Sequence, residues 1–301
     1  MSRREGHDTA ARAALWSILI GILVLGLKLF AAWWTDSLAL FSDALESTVN
    51  VVAATVLWLA LRYAARPADD KHPFGHAKAE HFSAGLEGAL VVAAAIAIGW
   101  RAVERFGSAP KVPELGIGLA LGVVATAINL ALALYLERTG RRLRSPALLA
   151  DALHVRSDVF TSLGVFAGFG LAWATGYWAL DALVALAVAA HILWAGVRAM
   201  RESVGGLMDE SLAREDLESI REILDGLGPP VLEYHDLRTR KAGWRTFVEL
   251  HLVVEGATTV DASHRICDRV EAEIERRIPD AAVTIHVEPE AEAKGEAVAG
   301  E

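Results

Sequence analysis

Six long apolar stretches, separated by short polar links, occupy the chain before residue 205. They run roughly Ala13–Trp34, Leu38–Leu61, Phe82–Val103, Leu115–Leu136, Leu148–Ala174 and Tyr177–Met200. Each has the ~20 residues that cover a ~30 Å hydrocarbon core at ~1.5 Å per residue. Leu115–Leu136 holds no charge. Helices of soluble proteins are seldom apolar all round for this length, so the pattern predicts six membrane-spanning helices.

Past Asp209 the period changes. Ser211–Leu227 is an amphipathic helix, stopped by Gly228, Pro229 and Pro230. Leu232–Arg240 and Trp244–Val254 alternate like strands around a Lys241-Ala242-Gly243 connection. Asp261 is placed to cap a helix ending at Ile278, and Ala282–Val287 is a last strand. The expected architecture is a six-helix transmembrane bundle followed by a small α+β domain of order α-β-β-α-β. The expected limits are 1–12 for an N-terminal tail, 13–208 for the bundle, 209–289 for the α+β domain and 290–301 for a disordered tail.

Composition sharpens this division. The chain has 301 residues, is 53% hydrophobic and carries a net charge of −9; its mean hydropathy is +0.34. Residues 1–208 hold 18 basic and 16 acidic side chains, +2, whereas residues 209–301 hold 11 and 22, −11. An acidic domain of this kind repels nucleic acid and attracts cations. Cys267 is the only cysteine, which excludes an intrachain disulfide and a cysteine-cluster metal site. Residues 1–12 have no short apolar stretch with a cleavage site, so no removable signal peptide is expected. Basic residues gather in alternate links: Arg3, Arg4 and Arg12, then Arg62, Arg66, Lys71 and Lys78, then Arg138, Arg141, Arg142 and Arg144, then Arg198 and Arg201. The opposite links are poorer, with only Arg101, Arg105 and Lys111. Both termini are therefore expected in the cytoplasm.

Several side chains do not belong in hydrocarbon. Asp43, Glu46 and Asn50 recur at three and four residues in the second span, and Asp151, His154 and Asp158 do so in the fifth. Each set shares a helix face. An ionisable group at mid-bilayer costs about 2.5–3.5 kcal/mol or more, so both faces point inward and carry function. Glu46 with Asn50 and His154 with Asp158 lie at similar depth, and together offer an imidazole, carboxylates and an amide oxygen to a divalent transition metal. Interhelical hydrogen bonds that only hold the bundle are the bland alternative. Arg156 reads as a side chain snorkelling to the surface. Of the other polar residues, Glu87 suits a supporting role or a proton path, Asp181 faces water, His191 is structural, and Lys28 has no evident role.

Two further clusters offer metal ligands. In the link after the second span, Asp69, His72 and His76 can wrap one ion around the breaks at Pro73 and Gly75. A solvated polar loop is the alternative. In the α+β domain His286 and Glu288 share a strand face, with His235, His251 and His264 on other elements.

Taken together, these residues resemble the cation diffusion facilitator family of divalent metal cation/proton antiporters over roughly residues 11–289. The resemblance rests on the six-span layout, on Arg-Pro-Ala-Asp-Asp-Lys-His-Pro-Phe-Gly-His-Ala-Lys-Ala-Glu at 66–80, on Ala-Asp-Ala-Leu-His-Val-Arg-Ser-Asp at 150–158 and on His-Asp-Leu-Arg-Thr-Arg at 235–240. It implies a transport site at Glu46, Asn50, His154 and Asp158, a loop site at Asp69, His72 and His76, and a cytoplasmic site at His235, His251, His286 and Glu288 with His264 nearby. It also implies a homodimer and a metallochaperone-like tail fold, while richness in Ala, Arg and Gly and single-chain economy suit a bacterial plasma (inner) membrane. Zinc transporters of the family commonly have Asp or His at the positions of Glu46 and Asn50. An amide at Asn50 removes one negative charge, which Asp43, one turn outward, can offset. Zinc is the leading cargo, with iron(II), manganese, cobalt, nickel and cadmium open. The expected function is efflux of a divalent transition metal in exchange for protons, with no enzyme activity. A metal-sensing membrane scaffold that does not transport is the alternative. An intramembrane metallohydrolase is less favoured, because the chain lacks His-Glu-x-x-His and a paired general base.

Overall fold

The computed structural model describes residues 3–35, 38–104, 106, 117–177 and 179–294, and divides the chain into two compact units at Val204/Gly205. The first unit holds six helices: α1 (Arg3–Thr35), α2 (Leu38–Ala64), α3 (Ala79–Glu104), α4 (Ile117–Leu143), α5 (Pro146–Thr175) and α6 (Ala179–Leu207), whose last residues enter the second unit. Four segments within α1, α3, α4 and α6 are apolar enough to cross a membrane by length and composition. The remaining two helices, α2 and α5, carry the acidic and imidazole side chains that the sequence marks out.

Helix α1 begins ten residues before the first apolar stretch, so residues 3–12 are helix rather than an unstructured tail. Packing explains the extension. Ala10, Ala13 and Ala14 are buried in a cluster with Leu57 and Leu61 of α2, Leu132, Ala133 and Leu136 of α4, and Ala147 and Leu148 of α5. Small residues let these backbones approach closely. A second contact joins α3 to α6 through Val91, Ala95 and Ile192. There a Cβ on Gly88 would lie 2.9 Å from Met200 Cγ, and one on Gly196 would lie 2.9 Å from Val91 Cγ1. Glycine at both positions permits the approach.

Helix α5 starts at a Ser-Pro pair. Pro146 suits the first helical position, and the Ser145 hydroxyl accepts the Leu148 N–H at 3.4 Å while donating to the buried Glu80 carboxylate of α3. This cross-helix cap fixes the start of the helix that carries Asp151, His154 and Asp158.

The second unit is an α+β domain: α7 (Arg214–Asp225), β1 (Val231–Ala242), β2 (Arg245–Val254), α8 (Val260–Arg277) and β3 (Ala281–Pro289). Strand order is β1-β2-β3, the first pair antiparallel and the second parallel. The hairpin turns at Gly243, whose φ of 57° favours glycine. Ile220, Ile223 and Leu224 of α7 and Ile266, Val270 and Ile274 of α8 pack on Val248, Leu250 and Leu252 of β2. Helices therefore cover one sheet face, and His251, between Leu250 and Leu252, points to the other.

Two local expectations change. The cap of α8 is Thr259, whose hydroxyl accepts the Ala262 N–H at 3.2 Å. Asp261 instead sits in the first turn and pairs with Arg265, because the helix starts two residues earlier than a cap at Asp261 would place it. Residues 290–294 are not disordered. Glu290–Glu292 form a 3₁₀ turn, and Lys294 bonds through its N–H to Glu233 Oε1 at 3.2 Å and through Nζ to Asp236 Oδ2 at 3.0 Å. Residues 295–301 of the expected tail lie outside the described residues.

Candidate metal centres

The bundle brings α2 and α5 together at the positions their sequence periods single out. Asn50 Nδ2 donates to Asp158 Oδ2 at 2.6 Å, and Asn50 Oδ1 lies 2.7 Å from His154 Nε2. The first contact fixes the amide orientation, so Oδ1 must accept and His154 must donate from Nε2. On its other side His154 Nδ1 faces Glu87 Oε2 of α3 at 3.5 Å. His154 and Glu87 are buried, 6% and 2% exposed. A cavity beside the pair is lined by Ser17, Ser47, Asn50, Asn129, Asp151, His154 and Asp158. The side chains of Asp43 and Glu46 lie outside the described residues, as does that of Asp181. Ser17 and Asn129 escape sequence reading, since neither is ionisable nor part of a spaced motif.

The remaining polar residues of the bundle have simpler settings. Arg156 Nη1 meets Glu137 Oε2 of α4 at 3.3 Å rather than only snorkelling. His191 stacks edge-on against Phe160, with ring centroids 5.3 Å apart. That contact fits a structural part.

The loop after α2 gathers Asp69, His72 and His76, with ligand atoms within 4.8 Å of one another. Asp69 Oδ1 lies 3.1 Å from His72 Nδ1, and Oδ2 lies 3.3 Å from His76 Nε2. Asp69 also accepts the backbone N–H groups of His72 and Lys71. The His72 amide beside it holds its carboxyl below the ordinary value, so this ligand stays ionised well into acid. His76 is buried against Tyr63, with ring centroids 4.7 Å apart, whereas Asp69 and His72 are exposed. Gly75, at φ 86°, makes the fold-back that brings His76 onto Asp69.

In the α+β domain the strand register lines up His235, His251 and His286 across β1, β2 and β3. Glu288, two residues beyond His286, reaches back into the row. Its Oε2 lies 3.2 Å from His235 Nε2 and its Oε1 lies 2.8 Å from His251 Nδ1. These three have ligand atoms within 4.8 Å of one another. His286 flanks them, exposed, with Nε2 3.7 Å from Glu288 Oε1. Two carboxylates missed by the sequence reading stand by. Glu233 Oε1 is 3.2 Å from His235 Nδ1, and Asp236 Oδ2 is 4.0 Å from His251 Nδ1. Glu233 was legible as the residue two before His235 on one strand. Hydrogen bonding to Lys294 holds the Asp236 carboxyl low. His264 is not brought to this cluster within the chain. It stands on α8, 3.8 Å from Asp268 Oδ1, and lines a separate cavity that Ile285, Val287 and Glu288 of β3 also line. Imidazole nitrogens with carboxylates form a donor set that suits borderline divalent ions, so the row fits a metal.

Comparison with known proteins bears on the whole chain. Residues 14–208 match the model for the cation efflux transmembrane domain, and residues 212–290 match that for the cation efflux protein cytoplasmic domain. A Synechocystis protein named "Uncharacterized transporter sll1263" is 44% identical over 276 residues, 92% of this chain and 89% of that protein. The Escherichia coli protein named "Cation-efflux pump FieF" is 33% identical over 279 residues, 93% of this chain and 92% of its own length. A solved structure titled "Mode of Action of a Putative Zinc Transporter CzrB" is 47% identical, covers 27% of this chain and 99% of that chain, and has a TM-score of 0.26. With a helical transmembrane domain followed by a cytoplasmic α+β domain, the chain belongs to the cation efflux, or cation diffusion facilitator, family of membrane transporters.

Proposed function

We propose that the protein exports a divalent transition metal in exchange for protons, and that Asn50, His154 and Asp158, with Glu46, hold the ion inside the bundle. One observation carries this reading: Asn50 of α2 bonds at once to His154 and Asp158 of α5, within an apolar bundle. In a dry interior every polar group needs a partner, so without metal the ligands satisfy one another. An arriving cation replaces these bonds with its own. It needs the His154 Nε2 lone pair: a doubly protonated ring releases the Nε2 proton and keeps the one on Nδ1, which faces Glu87 Oε2. Binding and proton release are thereby linked, and re-protonation on the far side expels the ion. Imidazole, carboxylate and amide oxygen favour zinc, with iron(II), manganese, cobalt, nickel and cadmium within the same donor chemistry.

Orientation follows from the basic links, with both termini in the cytoplasm of a bacterial inner membrane. The loop at Asp69, His72 and His76 and the row at His235, His251, His286 and Glu288 then meet metal on the side it leaves. The protein works as a homodimer, and metal on the tail domains offsets the repulsion of two −11 units. Metal uptake into proteoliposomes under an imposed pH gradient tests this reading. Gradient-dependent uptake of at least one divalent metal is expected. A protein that binds metal but moves none at any gradient is a sensor instead.

A further inference from the structure

We infer that Glu87 is the positioning residue of His154: it accepts the Nδ1–H that the ring must carry once a metal occupies Nε2. This rests on the transport-site reading above and deepens it. His154 stands between two groups: Asn50 Oδ1 lies 2.7 Å from Nε2, and Glu87 Oε2 lies 3.5 Å from Nδ1, within ion-pair reach but with no hydrogen bond between these two atoms. Asn50 cannot turn to suit a changed ring, because its amide nitrogen is committed to Asp158. A metal at Nε2 removes the hydrogen there, and a neutral imidazole then bears its one hydrogen on Nδ1. That hydrogen is buried, and a buried N–H without an acceptor is costly. Glu87 is the carboxylate in place to receive it, and a carboxylate behind a metal-bound imidazole both fixes the tautomer and raises ligand basicity.

The fold explains why Glu87 points there. It is 2% exposed on α3, and the next residue, Gly88, takes the close contact with Met200 of α6. Helix α3 thus turns one side to α6 and the adjacent one to α5.

The test is metal uptake by the full-length protein in proteoliposomes, with zinc and then cobalt(II), comparing Glu87→Ala, Glu87→Gln and Asp158→Ala. Removing an outer-shell partner of a metal-bound histidine costs about 10–100-fold in affinity. Glu87→Ala should therefore raise KM by about that factor with a smaller change in kcat. Glu87→Gln, whose amide oxygen still accepts Nδ1–H, should recover most of the loss. If the alanine chain does not fold, Glu87→Met, of similar length and without a comparable acceptor, takes its place. A wild-type KM in the alanine or methionine chain, or an equal rise in the glutamine chain, would overturn the role of Glu87. Wild-type uptake by Asp158→Ala would instead overturn the transport-site reading beneath it.

Discussion

The candidate metal clusters of the bundle and of the tail domain draw on the same donor types by different means. In the tail, β-sheet register sets His235, His251 and His286 side by side, and Glu288 bridges two of them. The row lies on the sheet face opposite α7 and α8, partly open to water. Water can stand in for a missing ion there, so filling or emptying the row need not reshape the sheet. In the bundle, helix packing places Asn50 against His154 and Asp158, and the three are bonded to one another. His154 is buried, while Asn50 and Asp158 are partly buried and line a cavity. On the proposed function, an ion entering this site breaks these bonds and displaces a proton. On that same reading, the mutual bonding of the inner ligands makes that site a place of exchange, and the tail row a place of capture.

The comparison breaks first at His154. His154→Ala should abolish uptake, while His251→Ala should leave clear residual uptake, since His251 lies outside the membrane path. Equal loss in both, measured as initial uptake rates in proteoliposomes, would erase the distinction drawn here.

A smaller effect should appear in the tail, whose core closes without the bundle. In the fragment 209–301, metal at about a hundredfold excess over Kd stabilises by ~2.7 kcal/mol. For a domain of this size that is a melting shift on the order of 10–20 °C. His251, at the centre of the row, should account for most of it, and His264→Ala should leave it within a few degrees. Acid should remove it, because imidazoles must be neutral to bind metal and protons compete as the pH falls from about 7.5 to about 5.5. A melting temperature unmoved by zinc, iron(II), manganese and cobalt would return these histidines to a structural part.

The loop should fall between the two cases. His76 is buried under Tyr63 while His72 is exposed. His76→Ala should weaken binding of one ion more than His72→Ala, and both should slow uptake without stopping it. Titration of the full-length protein with cobalt(II), beside uptake rates, would show this order. Complete loss of uptake with unchanged stability would make the loop the principal site.

The smallest effect serves as a control. Thr259→Ala removes the cap of α8 and should cost ~1 kcal/mol, with no change in the metal-induced increment, since α8 lies on the other face of the sheet.

Much of this was legible in the sequence because it rests on period. Spacings of three and four put Asn50 on one face of α2 and His154 and Asp158 on one face of α5, and the packed helices join those faces. A spacing of two put His286 and Glu288 on one side of β3. What sequence could not supply depends on packing between elements. Glu87 reaches His154 because α3 lies against α5, and Glu80 caps α5 through Ser145, neither of which shows in local spacing. His264 was grouped with the other histidines by nearness in sequence; it stands exposed on α8, where it lines a cavity together with Ile285, Val287 and Glu288 of β3. Helix α1 starts early because Ala10, Ala13 and Ala14 meet α4 and α5, a contact invisible in hydropathy. Residues 290–294 looked like a disordered tail from composition, and two bonds from Lys294 hold them down.

The central claim is that Asp158 and its partners carry a metal through the bundle against protons. It is tested most directly by zinc, iron(II), manganese and cobalt uptake into proteoliposomes under a pH gradient, with wild-type and Asp158→Ala chains of equal folded content. The account predicts gradient-dependent uptake of at least one metal by the wild type and none by Asp158→Ala. Uptake of every metal by Asp158→Ala at the wild-type rate would contradict it.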